Sequence, residues 1–332
     1  MRYFGSKIST IETIYDLISK RMSSGSFCDP FGGIGIVGSY FQSKGYNIWS
    51  GDILTFPHYF QIARLKFNRS LSFKRLIDEI DAENLNEIAD FLNSSPPRTG
   101  WFSREYSEKR QFFTSLNAQK IQTCRQKIKS WAKKGWIDHD EHAVLLASLI
   151  NSMDKVANTA GTYYAYLKKW HRKALKDFRF EFILSDISKG KGHCFHEPAN
   201  TLVKRQKFDV LYLDPPYNER SYAHYYHLPE TMALETTPKV HGMSGIPKNI
   251  SNTSEYNSPQ KANCALIDLL NNARFSLLIF HYADNGIITP REVRDVLCSF
   301  GPIEDYILEG KGYTTKNKPR KTKHHLYLVQ YD

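Results

Sequence analysis

Residues 26–52 read SFCDPFGGIGIVGSYFQSKGYNIWSGD, and this stretch decides the fold. A short apolar run leads to Asp29, and a glycine-rich turn follows it. Residues 36–44 suit a helix, and the next apolar run is a second strand that leads to Asp52. A strand, a helix and a second strand within about 30 residues form a βαβ unit, which implies a parallel sheet.

Strand patterns return later in the chain, after a long charged segment. Apolar residues at helical spacing predict helices at 8–22 and 290–299. Further apolar runs of strand length lie at 180–184, 208–213, 275–280, 303–308 and 326–331. We therefore predict an α/β protein with about seven strands and a helical insert after the second strand.

The charged segment, residues 55–180, is mostly helical by its pattern. Within it, residues 98–136 hold ten basic and two acidic side chains, and residues 163–179 hold six basic and one acidic. A run of charged residues usually forms a solvated face, but aromatic residues among basic ones are also typical of a nucleic-acid-binding surface. The sequence favours neither interpretation over the other. The aromatic residues of the first run are Trp101, Phe102, Tyr106, Phe112, Phe113, Trp131 and Trp136.

The composition excludes several classes of protein. The 332 residues carry 45 Lys plus Arg against 34 Asp plus Glu, a net charge of +11, and 41% are hydrophobic. These values are typical of a globular protein with a polyanionic partner. No apolar run approaches the ~20 residues that span a bilayer, and residues 1–7 lack a signal-peptide core. Because the five cysteines are scattered without a C-x-x-C pair, we expect a cytoplasmic protein without a structural zinc site.

The sharpest motif is Asp214-Pro215-Pro216-Tyr217, which directly follows an apolar strand. Open α/β sheets bind their ligands at the carboxyl ends of their strands, so this position favours a site. Asp-Pro-Pro is also ordinary turn chemistry, because proline fixes φ. Taken alone, the motif leaves both interpretations open.

A second motif, Asp29-Pro30-Phe31-Gly32-Gly33-Ile34-Gly35, follows the first strand. Glycines there let a ligand approach the backbone closely. Asp52 lies about 20 residues further on, where a ribose hydroxyl contact would sit in a nucleoside-binding βαβ unit. Since the spacing departs from G-x-G-x-x-G, a nucleoside ligand other than a dinucleotide is favoured.

Three weaker signals have an ordinary explanation. His193-Cys194-x-His196 lacks a complementary pair at zinc spacing, so we interpret it as part of a polar loop. Residues 236–262 are polar and rich in Gly, Pro, Ser and Asn, which predicts a long mobile loop. Residues 311–323 hold six basic side chains and no acid, which suits either a phosphate contact or a solvated loop.

Taken together, the motifs resemble a known family. Arg2-Tyr3-x-Gly5-Ser6-Lys7, the glycine-rich motif and the Asp-Pro-Pro-Tyr tetrad occur in the order of DNA adenine-N6 methyltransferases with the Dam-like, or alpha, motif order. The closer resemblance is to FokI-type methyltransferases. It is carried by residues 154–161, by residues 165–170, and by residues 214–227 with Glu230-Thr231.

The resemblance implies a fold, a reaction and a cofactor. The fold is a Rossmann-like, seven-stranded S-adenosylmethionine-dependent methyltransferase sheet with a helical DNA-recognition insert. The catalytic core would be residues 1–58 and 151–332, and the insert, residues 59–150, would be the target-recognition region. The reaction is site-specific methyl transfer from S-adenosylmethionine to N6 of an adenine flipped out of double-stranded DNA.

The resemblance also assigns roles to residues. The catalytic residues are Asp214, Pro215, Pro216 and Tyr217. The residues around the donor are Tyr3, Lys7, Asp29, Phe31, Gly33, Gly35, Asp52, Ile53, Asp186 and Ile187. Asp186 could instead cap a helix. The residues near DNA are Tyr163, Tyr164, Lys168, Lys169, Asn218, Arg220 and Tyr222.

The chemistry explains these residue types. The amine of adenine is a poor nucleophile because the ring delocalises its lone pair, and two acceptors aimed at its N–H groups would localise that pair. The Asp214 carboxylate and the Pro215 carbonyl suit this task, and Tyr217 would stack on the flipped base.

Two rival functions stay open. Cytosine-N4 methylation would use the same pocket, although its tetrad usually begins with Ser, and a non-catalytic DNA-binding protein could share the fold. We expect a restriction–modification setting with a cognate endonuclease, a location on the bacterial nucleoid, and neither a metal nor a membrane partner.

Overall fold

The structure is a computed structural model that describes residues 1–67, 72–183, 189–248, 253–311 and 321–330. The chain divides into two compact units. The first unit comprises residues 1–6, 54–186 and 222–251. The second unit comprises residues 7–53, 187–221 and 252–332.

A seven-stranded sheet forms the centre of the second unit. Its strands are β1 (Ser26–Asp29), β2 (Asn47–Asp52), β3 (Gly192–His196), β4 (Lys207–Leu213), β5 (Arg274–Ala283), β6 (Ile303–Lys311) and β7 (Lys321–Gln330). The strand order is β3-β2-β1-β4-β5-β7-β6. Strands β1 to β5 pair with one another in parallel, and β7 is antiparallel to both β5 and β6. The predicted seven-stranded α/β sheet is confirmed.

Helices accompany the sheet at the three places where the sequence pattern predicts them, residues 8–22, 36–44 and 290–299, and at two further places where it predicts none. The helices of this unit are Ile11–Ser19, Ile36–Ser43, Ala199–Leu202, Ala262–Asn272 and Pro290–Leu297, with 3-10 turns at Glu255–Asn257 and Cys298–Phe300. The first helix buries Ile11, Ile14 and Ile18, which follow its 3.6-residue period. The last helix begins at a capping box in which Thr289 and Glu292 satisfy each other's backbone N–H groups.

The prediction of a strand at residues 180–184 is wrong for its described part, because residues 180–183 have no strand pairing. Three of their four backbone N–H groups donate instead to side chains on the helices that cover residues 85–94 and 139–155. The pairs are Phe180–Asn93 at 2.7 Å, Glu181–Ser152 at 3.0 Å and Ile183–Ser148 at 3.0 Å. An extended, apolar segment thus satisfies its donors without joining a sheet.

The third strand of the sheet is β3, and it lies where the sequence predicts a polar loop around His193, Cys194 and His196. It pairs in parallel with β2, and the His193 ring stacks on Trp49 at 4.6 Å. As an edge strand it alternates between half-buried and exposed residues and contains no apolar run. The apolar pattern therefore could not reveal it.

Helices make up most of the first unit. They are Thr55–Leu65, Lys74–Glu79, Leu85–Ser94, Trp101–Ser103, Ser115–Lys133, His139–Lys155, Tyr222–Tyr225 and His227–Ala233. A π-helical turn at Arg104–Glu108 and a 3-10 turn at Arg172–Leu175 accompany them. Among the described residues of the chain, no helix is both long enough and apolar enough to cross a membrane.

The aromatic residues of segment 98–136 mostly lie inside the first unit. Those with at most 3% of their surface exposed are Phe102, Tyr106, Phe112, Phe113 and Trp131. Only Trp101 and Trp136 of the seven are half-buried. The stacking surface that these aromatic residues suggested is therefore wrong for the five buried rings, because four of them pack against each other and Trp131 packs against Phe91.

The described part of segment 236–262, residues 236–248 and 253–262, contains regular structure where we predicted a mobile loop. Within the described part, Val240–His241 and Ile246–Pro247 pair as a two-stranded antiparallel ribbon. Gly242 and Gly245 adopt φ values of 67° and 66°, which the tight turn between them requires. The glycines that suggested mobility therefore form a turn.

A buried carboxylate fixes the start of the helix Thr55–Leu65. Glu230 is 9% exposed, and its two carboxylate oxygens accept the backbone N–H groups of Thr55 and Phe56 at 2.9 Å each. The residue before the helix, Leu54, has no side chain that can cap it. Glu230 therefore supplies the cap, and its negative charge faces the positive end of the helix dipole.

We predict that Glu230→Gln lowers the free energy of unfolding by about 1–3 kcal/mol, because the amide offers one acceptor where two donors converge. Urea unfolding followed by circular dichroism measures this change. Glu79→Gln on an exposed helical position of the same unit is the control and should stay within about 0.5 kcal/mol. Equal stabilities of the two variants would contradict the capping role.

Candidate active site at the carboxyl edge of the sheet

Three carboxylates converge at one edge of the sheet. Asp52 ends β2, Asp29 ends β1, and Asp214 directly follows β4. These strands are parallel neighbours in the order β2-β1-β4, so their carboxyl ends lie side by side. The fold therefore brings together acidic residues that are up to 185 positions apart in the chain.

Lys7 forms the closest ionic contact of this cluster. Its Nζ lies 2.6 Å from Asp214 Oδ2, and the side chains are 8% and 19% exposed. Burial raises the pKa of Asp214, and the ammonium of Lys7 opposes that rise. The lysine therefore stabilises the charged form of the carboxylate at a position where burial alone would favour protonation.

Asp29 is the most deeply buried carboxyl group of the cluster, with 1% of its surface exposed. Burial raises the pKa of Asp29 well above its ordinary value, and the charges of Asp214 and Asp52 raise it further. Its Oδ1 is buried and accepts no hydrogen bond within the described part of the chain. An acceptor left in this condition costs free energy unless a ligand donates to it.

The turn after β1 contains glycines, which allow a ligand to approach its backbone closely. Gly33 and Gly35 adopt φ values of 49° and 77°, in the left-handed region that glycine tolerates best. The Gly32 N–H donates to the Gly51 carbonyl at 2.9 Å, which ties this turn to the end of β2. The two glycines of this turn therefore place no side chain beside Asp29.

Phe31 has an aromatic partner that the sequence did not indicate. Its ring lies edge-on to Tyr256, with centroids 4.9 Å apart and planes at 82°. Tyr256 is buried, and its hydroxyl hydrogen-bonds to Asn200 and to the carbonyl of Ala265. Tyr256 falls in the segment that we predicted as a loop, so no pattern pointed to its contact with Phe31.

The tetrad directly follows β4, and most of its residues are half-buried. Pro215 is buried, and Pro216 and Tyr217 are half-buried. The Tyr217 carbonyl accepts the Ile287 N–H at 3.0 Å, and the ring is nearly perpendicular to Tyr282 and His324. Burial raises the pKa of Tyr217 to about 12, so its hydroxyl stays protonated at neutral pH.

Two histidines near the tetrad were missed by the sequence analysis. His281 is buried, and its Nδ1 lies 3.1 Å from the hydroxyl of Tyr212 on β4. Its ring is 5.3 Å from that of His324. Burial lowers the pKa of His281 well below its ordinary value and that of His324 to about 4, so both are neutral at pH 7. Histidines on antiparallel partner strands carry no sequence signal of their pairing.

Asn218 and Arg220 continue the chain after the tetrad. The Asn218 side chain accepts the Arg220 N–H at 3.0 Å, and both backbone carbonyls accept from Asn257 Nδ2. The Arg220 side chain is exposed. These bonds hold the start of this segment in one conformation.

The first unit holds the other residues that the resemblance assigned. Tyr3 stacks on buried Tyr226 at 5.2 Å, and Tyr222 donates its hydroxyl to the Phe4 carbonyl at 3.2 Å. Tyr163 is fully buried and donates to Asp154 Oδ1 at 3.1 Å. This burial fits an anchor of the neighbouring loop and not the direct DNA contact expected of Tyr163. Three residues of that loop that are expected near DNA are exposed, namely Tyr164, Lys168 and Lys169.

The structure brings most of the remaining predicted residues to the second unit. At its carboxyl edge lie Lys7, Asp29, Phe31, Gly33, Gly35, Asp52, Ile53 and the tetrad. Asp186 and Ile187, predicted to hold the donor, lie outside the described residues. Among residues within the described ranges, no group of three or more His, Cys, Asp or Glu is arranged to hold a metal ion.

Comparisons with known proteins identify relatives of this chain by sequence. Type II methyltransferase M.FokI of Planomicrobium okeanokoites is 30% identical over 344 residues, which cover 99% of this chain and 52% of that protein. Modification methylase StsI of Streptococcus sanguinis is 31% identical over 340 residues, with the same coverage of 99% and 52%. Type II methyltransferase M.NlaIII of Neisseria lactamica is 32% identical over 314 residues, covering 92% of this chain and 90% of that protein. The chain therefore spans about half the length of the first two relatives.

The family resemblance inferred from the ordered motifs is confirmed over nearly the whole chain. The D12 class N6 adenine-specific DNA methyltransferase family matches residues 3–291, which include the glycine-rich motif, the helical segment and the tetrad. The chain belongs to the D12 class N6 adenine-specific DNA methyltransferase family.

Proposed function

We propose that this protein transfers a methyl group from S-adenosylmethionine to N6 of an adenine in double-stranded DNA, at a short specific site. The observation that carries the proposal is the Asp214 carboxylate, held by Lys7 at 2.6 Å at the carboxyl edge of the sheet of a D12-class chain. Since two of the relatives are type II methyltransferases, we place the reaction in a restriction–modification system with a cognate endonuclease. We also propose that it acts in the bacterial cytoplasm, on the nucleoid.

The residues around Asp29 suit the methyl donor. S-adenosylmethionine supplies a methyl group bound to a positively charged sulfur. The buried Asp29 Oδ1 would accept from the donor's ammonium group, and the backbone of Gly33 and Gly35 leaves room beside it. Asp52 would accept from the ribose hydroxyls, and the ring of Phe31 would pack on the donor. Three carboxylates at one strand edge favour a cationic ligand.

Asp214 and Pro215 suit the acceptor amine. Lys7 binds Asp214 Oδ2, so we assign Oδ1 to one N–H of the amine and the Pro215 carbonyl to the other. The prolines fix the backbone before substrate arrives, so the two acceptors need little reorganisation. Tyr217 would stack on the extruded base, a contact worth ~1–3 kcal/mol.

We propose that the helical insert and the loop after it contact DNA. Residues 98–136 carry ten basic and two acidic side chains, and exposed Lys168 and Lys169 follow Tyr164 in the loop. Arg220 and Tyr222 would contact the strand beside the target base. Lysine and arginine contacts to phosphate would provide affinity without sequence information, so base recognition falls to other insert residues.

The reaction is tested by incubating the protein with methyl-labelled S-adenosylmethionine and an unmethylated duplex library that contains all short sites. The DNA is then digested to nucleosides, and the product is identified by mass spectrometry. Labelled 6-methyladenine supports the proposal, and sequencing of the modified library locates the site. Labelled 4-methylcytosine would show that the target base is cytosine and not adenine. DNA binding without any label would indicate a non-catalytic protein.

We predict that Asp214→Asn lowers kcat by at least about 100-fold, because the amide presents a donor or a weaker acceptor to the amine. The Kd for S-adenosylmethionine, measured by calorimetry, should change less than about threefold, which is under 1 kcal/mol. Asp16→Asn on the exposed face of the helix Ile11–Ser19 is the control and should match the wild type. Loss of donor binding together with activity would contradict this assignment of Asp214.

We predict opposite effects of Asp29→Asn on donor binding and on stability. The Kd for S-adenosylmethionine should rise at least about tenfold, because a charged hydrogen bond is lost. The free protein should become more stable by about 1 kcal/mol or more at pH 8, because a buried charge is removed.

The gain in stability expected for Asp29→Asn depends on pH. Since the pKa of Asp29 is raised in the folded state, the folded protein holds its proton more tightly than the unfolded chain. The destabilisation by Asp29 is therefore absent below the ordinary carboxyl range and grows as the pH rises above it. Thermal unfolding should show a larger gain for Asp29→Asn at pH 8 than at pH 5, and a loss of stability at pH 8 would refute the prediction.

A further inference from the structure

One short 3-10 turn of the second unit, Glu255–Asn257, contacts two parts of the candidate site. We call it the 255–257 turn. The ring of Tyr256 lies edge-on to Phe31, and the side chain of Asn257 reaches the segment that follows the tetrad. Because Tyr256 and Asn257 are adjacent in the chain, one turn contacts a residue proposed for the methyl donor and a segment proposed for DNA.

A hydrogen-bond network fixes Tyr256. The amide nitrogen of Asn200 donates to the Ala265 carbonyl at 3.0 Å and to Asp268 Oδ2 at 2.7 Å, which determines the orientation of this amide. Its Oδ1 therefore faces the hydroxyl of Tyr256, at 2.9 Å. Because Tyr256 is 4% exposed and held in this way, its ring offers Phe31 a fixed packing surface.

Asn257 holds the segment after the tetrad through its side-chain amide. The two hydrogens of Nδ2 serve the carbonyls of Asn218 and Arg220, at 2.7 and 3.2 Å. The bond to Arg220 is exposed to solvent and the bond to Asn218 is partly buried, and exchange of a protein donor for water changes stability little. Asn257 therefore determines the conformation of this segment more than it stabilises the fold.

Local hydrogen bonds hold the 255–257 turn together. The Tyr256 N–H donates to Ser254 Oγ at 3.3 Å, and the Asn257 N–H donates to the Ser254 carbonyl at 3.0 Å. The Ser258 N–H donates to the Glu255 carbonyl at 3.0 Å. A displacement of Tyr256 therefore moves Asn257 with it.

We propose that Asn257 is a positioning residue for methyl transfer, which links the ring beside the donor to the segment that receives DNA, residues 218–220. This inference rests on the proposed function. A donor packed on Phe31 would restrict that ring, and Phe31 contacts Tyr256. Since Asn257 belongs to the same turn, donor and DNA favour one conformation of it. Coupling of this kind is reciprocal, so each ligand raises the affinity for the other.

The test compares Asn257→Leu, Asn257→Ala and the wild type on a duplex that carries the site methylated in the library. Leucine keeps the size of the side chain and removes both donors, whereas alanine removes size and donors together. Asn272→Ala is the matched control, because its exposed amide also donates to a backbone carbonyl, that of Asp268 at 2.8 Å, but within its own helix.

Four quantities are measured for each protein. Single-turnover transfer at saturating donor and DNA gives the rate constant. Calorimetry gives the Kd for S-adenosylmethionine without DNA, and thermal unfolding gives the stability. Fluorescence anisotropy gives the Kd for DNA with and without S-adenosylhomocysteine, which occupies the donor site but has no methyl group to transfer.

We expect both Asn257 variants to slow transfer at least about tenfold, because a misplacement of about 1 Å can cost about 100-fold in rate. The Kd for S-adenosylmethionine should stay within about threefold of the wild-type value. In the wild type, S-adenosylhomocysteine should lower the Kd for DNA at least about fivefold, and in Asn257→Leu this factor should fall below about twofold. Asn272→Ala should match the wild type in all four measurements.

Three outcomes would overturn the role of Asn257. The first is a wild-type rate in both of its variants. The second is a loss of rate together with donor affinity or folding, which is the signature of a merely structural residue. The third is a donor effect on DNA affinity that is absent from the wild type or unchanged in Asn257→Leu. If the wild type transfers no methyl group to adenine, the proposed function fails and this inference with it. If the wild type is active and any of the three outcomes is found, only the role of Asn257 is lost.

Discussion

The ion pair between Lys7 and Asp214 is the interaction on which the candidate site depends. Three parallel strands end side by side, so their carboxylates Asp29, Asp52 and Asp214 repel each other at one edge. Without a cation among them, burial and repulsion would favour protonated carboxyl groups. Lys7, at 2.6 Å from Asp214, limits this effect and keeps an acceptor available. The chain therefore places a basic residue before the first strand to stabilise an acid after the fourth.

Much of the second unit could be predicted because its signals are local. The βαβ unit at residues 26–52, the tetrad after β4 and the last helix each have a periodicity or a turn that one short window contains. The edge strand β3 has no such pattern, since none of its five residues is fully buried. Residues 180–183 have the pattern of a strand, but their partners are helix side chains that no short window contains. The sequence therefore failed to predict secondary structure where a residue's distant hydrogen-bond partner, and not its own type, determines its conformation.

The same reasoning explains what the sequence revealed of the site. Residue types and motif order pointed to Asp29, Asp52 and Asp214, because parallel strand ends converge by topology alone. The contact between Phe31 and Tyr256, and the pair of Tyr212 with His281, depend on side-chain packing across the sheet and its loops. The sequence also did not reveal whether the aromatic residues in segment 98–136 are buried or exposed. A segment rich in aromatic residues and lysines has the same sequence pattern whether its rings are exposed or buried. In the structure, five of the seven rings are buried.

The carboxylate that caps the helix Thr55–Leu65 has a consequence for synthesis of the chain. Glu230 is separated from Thr55 by 175 positions, so the ribosome completes the helix long before its cap exists. During that interval the helix start keeps unsatisfied N–H groups, and an isolated helix of 11 residues is marginal in water. The start of this helix therefore gains its cap only when the distant carboxylate is available. The first unit is completed only after its last segment, residues 222–251, has been synthesised.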